Sequence, residues 1–444
     1  MKSTAVTGVN WPVYTGRSRG TAGAGAILSV VRVAIMTAGS RGDVAPFTGL
    51  GHGLARAGHE VTLVTHGRFE PLAARAGIGF HALPVDPRAE LESSRGRALH
   101  RSTTGVGKLA RVVAMARALA VEMADDLVAA ARASDVLLLS GSVAPLGHAI
   151  AEGLRLPSLG LNLQPLAATR EFAPPMLGTG SWGALGNRIA GVGLNLAVEQ
   201  VFAAALPPVR ARLGLPPTRT AAALRARERQ GWPVLHGFSP RVVARPRDWR
   251  SGLDVAGYWW PYDGDAPLPD DLREFIEAGP PPVFVGLGSA TVPDPARAGT
   301  EIVRALRRAG LRGVIQRGWA GLTATGDDML TIDEVPHSAL FPRMAAVVHH
   351  AGAGTTAAGL RAGVPAIPVP IQFDESFWAA RLVALGVAPG ALPLRRLTAD
   401  SLGAALIRAT RDTGCRERAR TVGVHIRAED GMAPVVAAVN RLAT

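Results

Sequence analysis

The sequence predicts an α/β protein of two domains, each built on a parallel sheet, and three observations support this prediction. The chain has 444 residues, more than the roughly 250 to 300 at which a single hydrophobic core stops growing. Short apolar runs alternate with helical segments, which is typical of βαβ units. The pattern stops at a bridge punctuated by Pro, Arg and Gly and then restarts, so we expect two halves of similar size.

The elements of each half follow from the hydrophobic pattern. In the first half we predict strands at Val31 to Thr37, Glu60 to Thr65, Asp135 to Leu139 and Ser158 to Leu161, with helices from about Pro46 to Ala57 and over Leu109 to Ala133. In the second half we predict strands at Val283 to Leu287, Gly313 to Gln316, Met329 to Ile332, Ala346 to His349 and Ala366 to Pro370.

These elements give the predicted domain boundaries. We expect an extension over residues 1–30, a first domain over 31–232, a linker over 233–262, a second domain over 263–425 and a C-terminal helix within 426–444 that crosses back to the first domain. The extension is polar and Gly-rich, and it lacks the order of segments that a secretory signal has, so we expect it to be disordered.

The composition narrows the class of protein. The formal net charge is +13, but the Arg residues are scattered, so a solvated basic face or attraction for an anionic ligand is favoured over nucleic-acid binding. The one cysteine, Cys415, excludes an internal disulfide, and no run approaches the roughly 18 apolar residues of a membrane span. We expect a cytoplasmic monomer or homodimer with at most peripheral membrane contact.

The loop after the first strand reads Gly39-Ser40-Arg41-Gly42-Asp43. Two interpretations of Asp43 are open. It is an N-cap that satisfies the free N–H groups of the following helix, or it is a carboxylate at the mouth of a cleft that accepts the proton of an acceptor hydroxyl. The loop lacks G-x-G-x-x-G, so a nicotinamide-binding role is not supported.

A second Gly-rich loop follows the strand that ends at His349 and opens a helix. Its residues are His350, Ala351, Gly352, Ala353, Gly354, Thr355 and Thr356. Small residues allow close approach of a ligand, and the free N–H groups at a helix start attract anions, so this loop predicts a diphosphate site. Asp374 and Glu375 follow the next strand, where they serve either as a helix start or as acceptors for sugar hydroxyls.

Together these segments resemble the bacterial family 1 glycosyltransferases of the GT-B fold, in which two Rossmann-like domains face each other across a cleft. The nearest branches are the sterol glucosyltransferases and the glycopeptide-antibiotic glycosyltransferases. The resemblance runs from Val31 onward and rests on these segments: GSRGDVAP (39–46), VLHGFSPRVVARPRDW (234–249), GYWW (257–260), IDEVPHSALFPR (332–343), VHHAGAGTTAAGLRAGVPAIPVP (348–370) and FDESFWAARL (373–382).

The resemblance implies an inverting, metal-independent transfer from a UDP- or dTDP-sugar, with Asp43 as the catalytic base. It makes 31–232 the acceptor-binding domain and 263–425 the nucleotide-sugar-binding domain. It places the nucleotide base near Trp319 and the backbone of Val335, and the sugar at Asp374 and Glu375. The implied phosphate contacts are Ser289, His350, Gly352, Ala353, Gly354, Thr355 and Thr356, with Ser40 and Arg41 beside the donor. No cofactor and no metal are implied, because the helix start and His350 meet the charge.

Three positions depart from the family pattern. Ala351 replaces a Gly and adds one methyl group to the phosphate loop. Glu375 replaces a Gln, which exchanges an amide for a carboxylate that only accepts hydrogen bonds. The ribose-binding Glu of plant relatives is Ala358 here, and this change does not separate UDP from dTDP donors.

The acceptor is expected to bind loops of the first half, around His66 to Arg101 and Pro145 to Trp182. Gly, Ala, Leu and Pro dominate there, which suits a polyketide, macrolide, aromatic aglycone or sterol. Arg95 to Lys108 is predicted to be a disordered or ligand-ordered loop. Two alternatives stay open: a nucleotide-sugar 2-epimerase on the same fold, and a noncatalytic auxiliary protein that retains the sugar-nucleotide site.

Overall fold

A computed structural model describes residues 30–85, 105–264, 267–290 and 292–443. The predicted extension lies outside these residues apart from its last position, Val30. The predicted loop over 95–108 also lies outside them up to residue 104, and from Gly105 onward it is the start of a helix.

The first sheet has seven parallel strands within the described residues, in the order β3-β2-β1-β4-β5-β6-β7. The strands are β1 (Arg32–Met36), β2 (Glu60–His66), β3 (Gly79–Leu83), β4 (Val136–Ser140), β5 (Ser158–Asn162), β6 (Val234–His236) and β7 (Leu253–Val255). β1 and β4 are buried along nearly their whole length, as central strands with helices on both faces must be.

The helices of the first half are α1 (Arg41–Arg56), α2 (Glu70–Ala76), α3 (Gly105–Glu122), α4 (Ala124–Arg132), α5 (Ala144–Leu154), α6 (Gly183–Glu199), α7 (Leu206–Arg212) and α8 (Thr220–Arg229). A short 3-10 turn, Pro175–Leu177, precedes α6. The buried apolar residues of α1 and α2 lie in one cluster, and those of α3, α4, α5 and α7 lie in a second.

The second sheet is parallel, with the order β10-β9-β8-β11-β12. Its strands are β8 (Val283–Gly286), β9 (Gly313–Gln316), β10 (Met329–Ile332), β11 (Ala346–His349) and β12 (Ala366–Pro368). The helices that follow β7 are α9 (Asp270–Glu277), α10 (Pro295–Ala309), α11 (His337–Leu340), α12 (Ala353–Ala362), α13 (Glu375–Ala384), α14 (Ala399–Arg411), α15 (Thr413–Arg427) and α16 (Ala433–Leu442).

Three predicted elements differ from the structure. The segment predicted as a linker, 233–262, contributes β6 and β7 to the first sheet, because three-residue strands are too short to produce a readable alternation. The helix predicted over Leu109 to Ala133 is broken at the buried Met123 into α3 and α4. Helix α1 begins at Arg41, and Pro46, which was read as its start, lies inside it.

The two halves are joined through the segment after β7 and through the C-terminal helix. Val435, Ala438 and Val439 of α16 are buried in the same cluster as Val33 and Phe47 of the first half. The indole N–H of Trp259 donates to the carbonyl of Gly431 at 3.0 Å. The chain therefore returns from the second sheet to close on the core of the first.

Among the described residues, no single helix is long and apolar enough to cross a membrane. One pair of helical stretches, Gly183–Phe202 and Leu206–Arg212, meets the length and composition criterion only when taken together, and it is bent by 63°.

Candidate active site

The loops after β1 and after the strands of the second sheet meet between the two halves. The guanidinium of Arg41, in the first turn of α1, lies 2.6 Å from a carboxylate oxygen of Glu334. The charge of Asp374 contributes to the raised pKa of Asp43, so these two carboxylates, one from each half, lie within electrostatic reach of each other. Carboxyl ends of parallel strands are where ligands of such sheets bind.

Asp43 is the third residue of α1, and Ser40 is its N-cap. The backbone N–H and the hydroxyl of Ser40 donate to Oδ2 of Asp43 at 2.8 and 2.9 Å. Asp43 is therefore the reciprocal member of a capping box, and the interpretation of Asp43 as the N-cap itself is wrong. Ser40 occupies Oδ2, which leaves Oδ1 as the oxygen that can accept a proton from elsewhere.

The surroundings of Asp43 favour its protonated form. Burial is the largest influence and raises its pKa, the two bonds from Ser40 oppose that rise, and the negative charge of Asp374 adds to it. Gly39 makes the tight turn possible: its φ is +143°, and a Cβ there would lie 2.5 Å from Oδ2 of Asp43. A carboxylate with a raised pKa is a stronger base once it is ionised.

His66, at the end of β2, holds this loop in place, although its predicted place was only the edge of an acceptor region. The backbone N–H of Gly39 donates to Nε2 of His66 at 2.9 Å. Nε2 therefore carries no proton, and Nδ1–H donates to the carbonyl of Val85 at 2.6 Å. The only signal in the sequence was a His at a strand end, which is too common to interpret alone.

The second Gly-rich loop opens α12, whose N-cap is Gly352. A Cβ on Gly352 would lie 2.4 Å from Nε2 of His350, and one on Gly288 would lie 2.5 Å from Cε1. The imidazole of His350 is therefore held between two glycines beside the first turn of α12. Its Nδ1 is buried and has no hydrogen-bond partner among the described residues. A buried, unpaired nitrogen at a helix start is suited to a ligand that supplies the missing partner.

Burial keeps a group of three histidines uncharged at neutral pH. It lowers the pKa of His350 to about 4 and the pKa values of His349 and His337 to about 3. The backbone N–H of Ala351 donates to Nδ1 of His349 at 3.1 Å, and His337 stacks on Phe341 with ring centroids 4.3 Å apart. His350 can therefore offer an anion a hydrogen bond from a neutral imidazole.

The remaining predicted phosphate and base contacts lie on three neighbouring loops. Gly354 is exposed and Ala353 and Thr355 are half-buried in the first turn of α12, whereas the side chain of Thr356 is fully buried and its hydroxyl has no partner among the described residues. Ser289 is half-buried after β8.

The loop that carries Trp319 is tied to this region through its backbone. The N–H of Trp319 donates to the carbonyl of Gly288 at 3.0 Å, and the guanidinium of Arg68 lies 5.5 Å from its ring. Val335 has its side chain in the core. Arg68 belongs to the first half and Trp319 to the second, so the Trp319 loop lies where the two halves meet.

The two adjacent acidic residues have different roles in the structure. Oε2 of Glu375 accepts hydrogen bonds from the N–H groups of Ile371 and Gln372 at 2.5 and 2.8 Å, and burial raises its pKa to about 7. Oδ2 of Asp374 accepts from the indole of Trp378 at 2.7 Å, and Asp374 stays half-buried. Glu375 thus ties its own loop together, and Asp374 is the acid on the side of Asp43.

Phe373 comes directly before this pair, and the sequence analysis did not single it out. Its φ is +50°, a left-handed value that is rare for a bulky residue, and 57% of its surface is exposed. Ala351 is left-handed as well, with a φ of +68°, but it is fully buried.

Among the described residues, no group of three or more His, Cys, Asp or Glu side chains is arranged to hold a metal ion.

Two family models match the two halves of the chain. The glycosyltransferase family 28 N-terminal domain matches residues 33–172, and the C-terminal domain of erythromycin biosynthesis protein CIII-like proteins matches residues 314–442. Two facing parallel sheets with ligand loops between them are the architecture of the GT-B glycosyltransferases.

Individual relatives agree with these models. An O-mycaminosyltylonolide 6-deoxyallosyltransferase of Streptomyces fradiae is 35% identical over 412 residues, which cover 90% of this chain and 95% of that protein. A sterol 3-beta-glucosyltransferase of Arabidopsis thaliana is 30% identical over 423 residues, covering 93% of this chain and 68% of that protein.

A solved structure agrees in fold. The Streptomyces sp. SF2575 glycosyltransferase SsfS6, complexed with thymidine diphosphate, superposes with a TM-score of 0.61 at 21% identity, covering 93% of this chain and 99% of that one. The chain belongs to the GT-B glycosyltransferase family that includes the antibiotic glycosyltransferases and the sterol glucosyltransferases, and it is a glycosyltransferase.

Proposed function

We propose that this enzyme transfers a sugar, with inversion, from a UDP- or dTDP-sugar to a hydroxyl group of a small lipophilic acceptor, and that Asp43 is the general base. The observation that carries the proposal is that Asp43, in the first half, lies within electrostatic reach of Asp374, in the second, and that α1 contacts α12, the helix that the His350 loop opens. An acceptor bound to the first half and a donor bound to the second would meet between them.

The donor site is proposed at the start of α12. Free N–H groups of the first turn and the unpaired nitrogen of His350 suit the oxygens of a diphosphate, and the helix dipole favours its negative charge. Gly352, Ala353, Gly354 and Thr355 leave the approach open, while Ser289 closes it from the β8 loop. Trp319 and the backbone of Val335 are the proposed contacts of the nucleotide base.

The reaction is a single displacement. Oδ1 of Asp43 takes the proton of the acceptor hydroxyl as the acceptor oxygen forms a bond to the anomeric carbon of the sugar. The bond between that carbon and the diphosphate oxygen breaks on the opposite face, and its electron pair leaves with the nucleoside diphosphate. Hydrogen bonds from the start of α12 stabilise the charge that develops on the leaving group.

Asp374 is proposed to hold the sugar, since its carboxylate is half-buried and near Asp43. A contact of Glu375 with the sugar, as the sequence suggested, would require its Oε1, because Oε2 binds the loop backbone. The relatives act on a macrolide derivative and on sterols, which agrees with an apolar acceptor. Membership of a glycosyltransferase family argues against the epimerase and auxiliary-protein alternatives.

A donor panel tests the proposal before any acceptor is known. Thermal unfolding is measured with UDP, dTDP and ADP, and a ligand present at 100 times its dissociation constant stabilises the fold by about 2.7 kcal/mol. We expect UDP or dTDP, but not ADP, to raise the melting temperature. A flat response to all three would contradict a donor site at α12.

A further inference from the structure

Helix α6 carries an apolar face that the structure leaves open. The face consists of Trp182, Leu185, Ile189 and Val192, of which Leu185 and Ile189 are 67% and 62% exposed. Leu185, Ile189 and Val192 follow one another at i, i+4 and i+7, so they lie along one side of the helix. Contiguous apolar residues on a surface indicate a binding site, because a soluble surface rarely gathers them without a function.

The opposite side of α6 is firmly attached to the protein. The side-chain amide of Asn187 donates to the carbonyl of Arg170 at 3.2 Å and accepts from the N–H of Trp182 at 3.0 Å. A Cβ on Gly191 would lie 2.8 Å from the Cβ of Ala168, so that glycine allows close packing. Helix α6 therefore lies flat against the domain and turns its apolar face outward.

The face lies next to the cleft between the two halves. The segment beneath α6 continues to Phe172, whose ring centroid lies 5.5 Å from that of Phe377 in α13. The 3-10 turn Pro175–Leu177 packs against α13 and exposes Met176 and Leu177. An object that covers the apolar face would thus sit beside the boundary between the two halves, where Phe172 contacts Phe377.

The charges around the face select the kind of partner. From Ser181 to Val198 the chain has no Asp or Glu, and its one basic residue, Arg188, is paired with Asp248. Helix α8 packs beside α6 and has Arg225 and Arg229 on exposed positions, while its one acidic residue, Glu228, is paired with Arg250. The net charge of the chain is +13, so a second copy would be repelled, whereas an anionic surface would be attracted.

We propose that α6 docks this enzyme on an anionic lipid bilayer, with its apolar face in the headgroup region and the arginines of α8 against the lipid phosphates. A helix that is apolar on one side, flanked by basic residues and begun by a tryptophan has the composition of an interfacial helix. Docking would bring the cleft entrance next to the bilayer, where a lipophilic acceptor concentrates. The proposal concerns the surface alone and holds whichever donor the enzyme uses.

Flotation with lipid vesicles tests the proposal on the full chain. The wild type should float with vesicles of phosphatidylcholine and phosphatidylglycerol at 3:1, and binding should fall about tenfold on pure phosphatidylcholine. The double variant L185Q/I189Q should lower the partition coefficient on 3:1 vesicles at least about tenfold, because two apolar side chains no longer enter the lipid. For the double variant R225Q/R229Q, the partition coefficient should fall about tenfold on 3:1 vesicles and change little on neutral vesicles.

Val424→Gln is the matched control, since Val424 is 58% exposed on α15 of the other half. It should float like the wild type, and all variants should retain the nucleotide-induced melting shift of the wild type. A wild type that stays at the bottom of the gradient overturns the proposal, as does equal flotation of L185Q/I189Q. A wild-type dimer in light scattering that L185Q/I189Q converts to a monomer would also overturn it, in favour of a second copy.

Discussion

The two loops that form the site differ in how their backbones are held. In the first half the left-handed position is a glycine, Gly39, and the loop is tied by Ser40 and His66. In the loops after β11 and β12 the left-handed residues are Ala351 and Phe373, which pay a steric cost of roughly 1–2 kcal/mol each. The loop of the proposed base is thus relaxed, whereas two loops of the proposed donor site are strained, which teaches that the two sides of the site are held in different ways.

The largest effect is expected at the centre of the relaxed loop. Asp43→Asn keeps the size of the side chain and the bonds from Ser40 but removes the proton acceptor, so kcat should fall by about three orders of magnitude or more. Nucleotide affinity should stay within about twofold, because the donor site lies in the other half. Single-turnover transfer and nucleotide titration measure the two quantities, and an active variant would remove Asp43 from its role.

The pH dependence of kcat tests the same role of Asp43. The wild type should lose kcat as the pH falls through a pKa above the usual aspartate value of about 3.9, because burial and Asp374 favour the protonated form of Asp43. Asp374→Asn removes one of these causes and should move the acid limb toward lower pH. An acid limb that does not move would show that Asp374 does not act on the titrating group.

His66→Leu tests whether the relaxed loop depends on its anchor. The variant leaves the N–H of Gly39 without its acceptor, which should cost about 1–3 kcal/mol in the free energy of unfolding. Misplacement of Asp43 should lower kcat about tenfold to a hundredfold. His66→Gln keeps a hydrogen-bond acceptor near the position of Nε2 and serves as the control. If both variants lose kcat equally, the hydrogen bond to Gly39 is not what positions Asp43.

Glu375→Gln tests the hydrogen bonds that hold the strained loop. The folded-state pKa of Glu375 is raised to about 7, so its contribution to stability is complete below the unfolded value of about 4.3 and is lost as the pH rises through 7. An amide oxygen accepts the same two N–H groups without ionising. The free energy of unfolding of the variant minus that of the wild type should therefore be larger at pH 8 than at pH 5, by on the order of 1 kcal/mol. Urea unfolding at the two pH values measures this difference. An unchanged difference would contradict the assignment.

The smallest effect is expected from relief of strain at Phe373. Phe373→Gly should raise the free energy of unfolding by about 0.5–1 kcal/mol, because glycine adopts a positive φ without a steric penalty. Phe373→Ala removes the same exposed ring but keeps a Cβ, so it should gain nothing. If Ala stabilises as much as Gly, exposure of the ring, and not backbone strain, is the cause.

Much of this architecture follows from the sequence, and the exceptions have physical reasons. The long apolar runs of β1, β4 and β11 are readable because central parallel strands are apolar throughout. β6 and β7 have three residues each. β6 joins the first sheet by pairing with β5, which lies more than 70 residues earlier in the chain. Short strands defined by distant partners leave no periodicity to detect.

The residues of the site divide in the same way, into those that local sequence features predict and those whose roles depend on the fold. The loops of Asp43 and His350 were identified from Gly-rich turns after strands, which are local features. The roles of Glu375 and His66 depend on where one carboxylate oxygen or one ring nitrogen points, and residue type alone does not specify that. The capping box of Ser40 and Asp43 was within reach of the sequence, since its three-residue spacing is a known helix-start pattern.

The ion pair between Arg41 and Glu334 links two parts of the reaction that are far apart in the chain. Arg41 lies two residues before Asp43, and Glu334 lies directly before Val335. Both partners are partly exposed, so the pair adds little to stability and is weakened by salt. Its consequence is that one salt-sensitive contact joins the turn of the proposed proton acceptor to the stretch proposed to contact the nucleotide base.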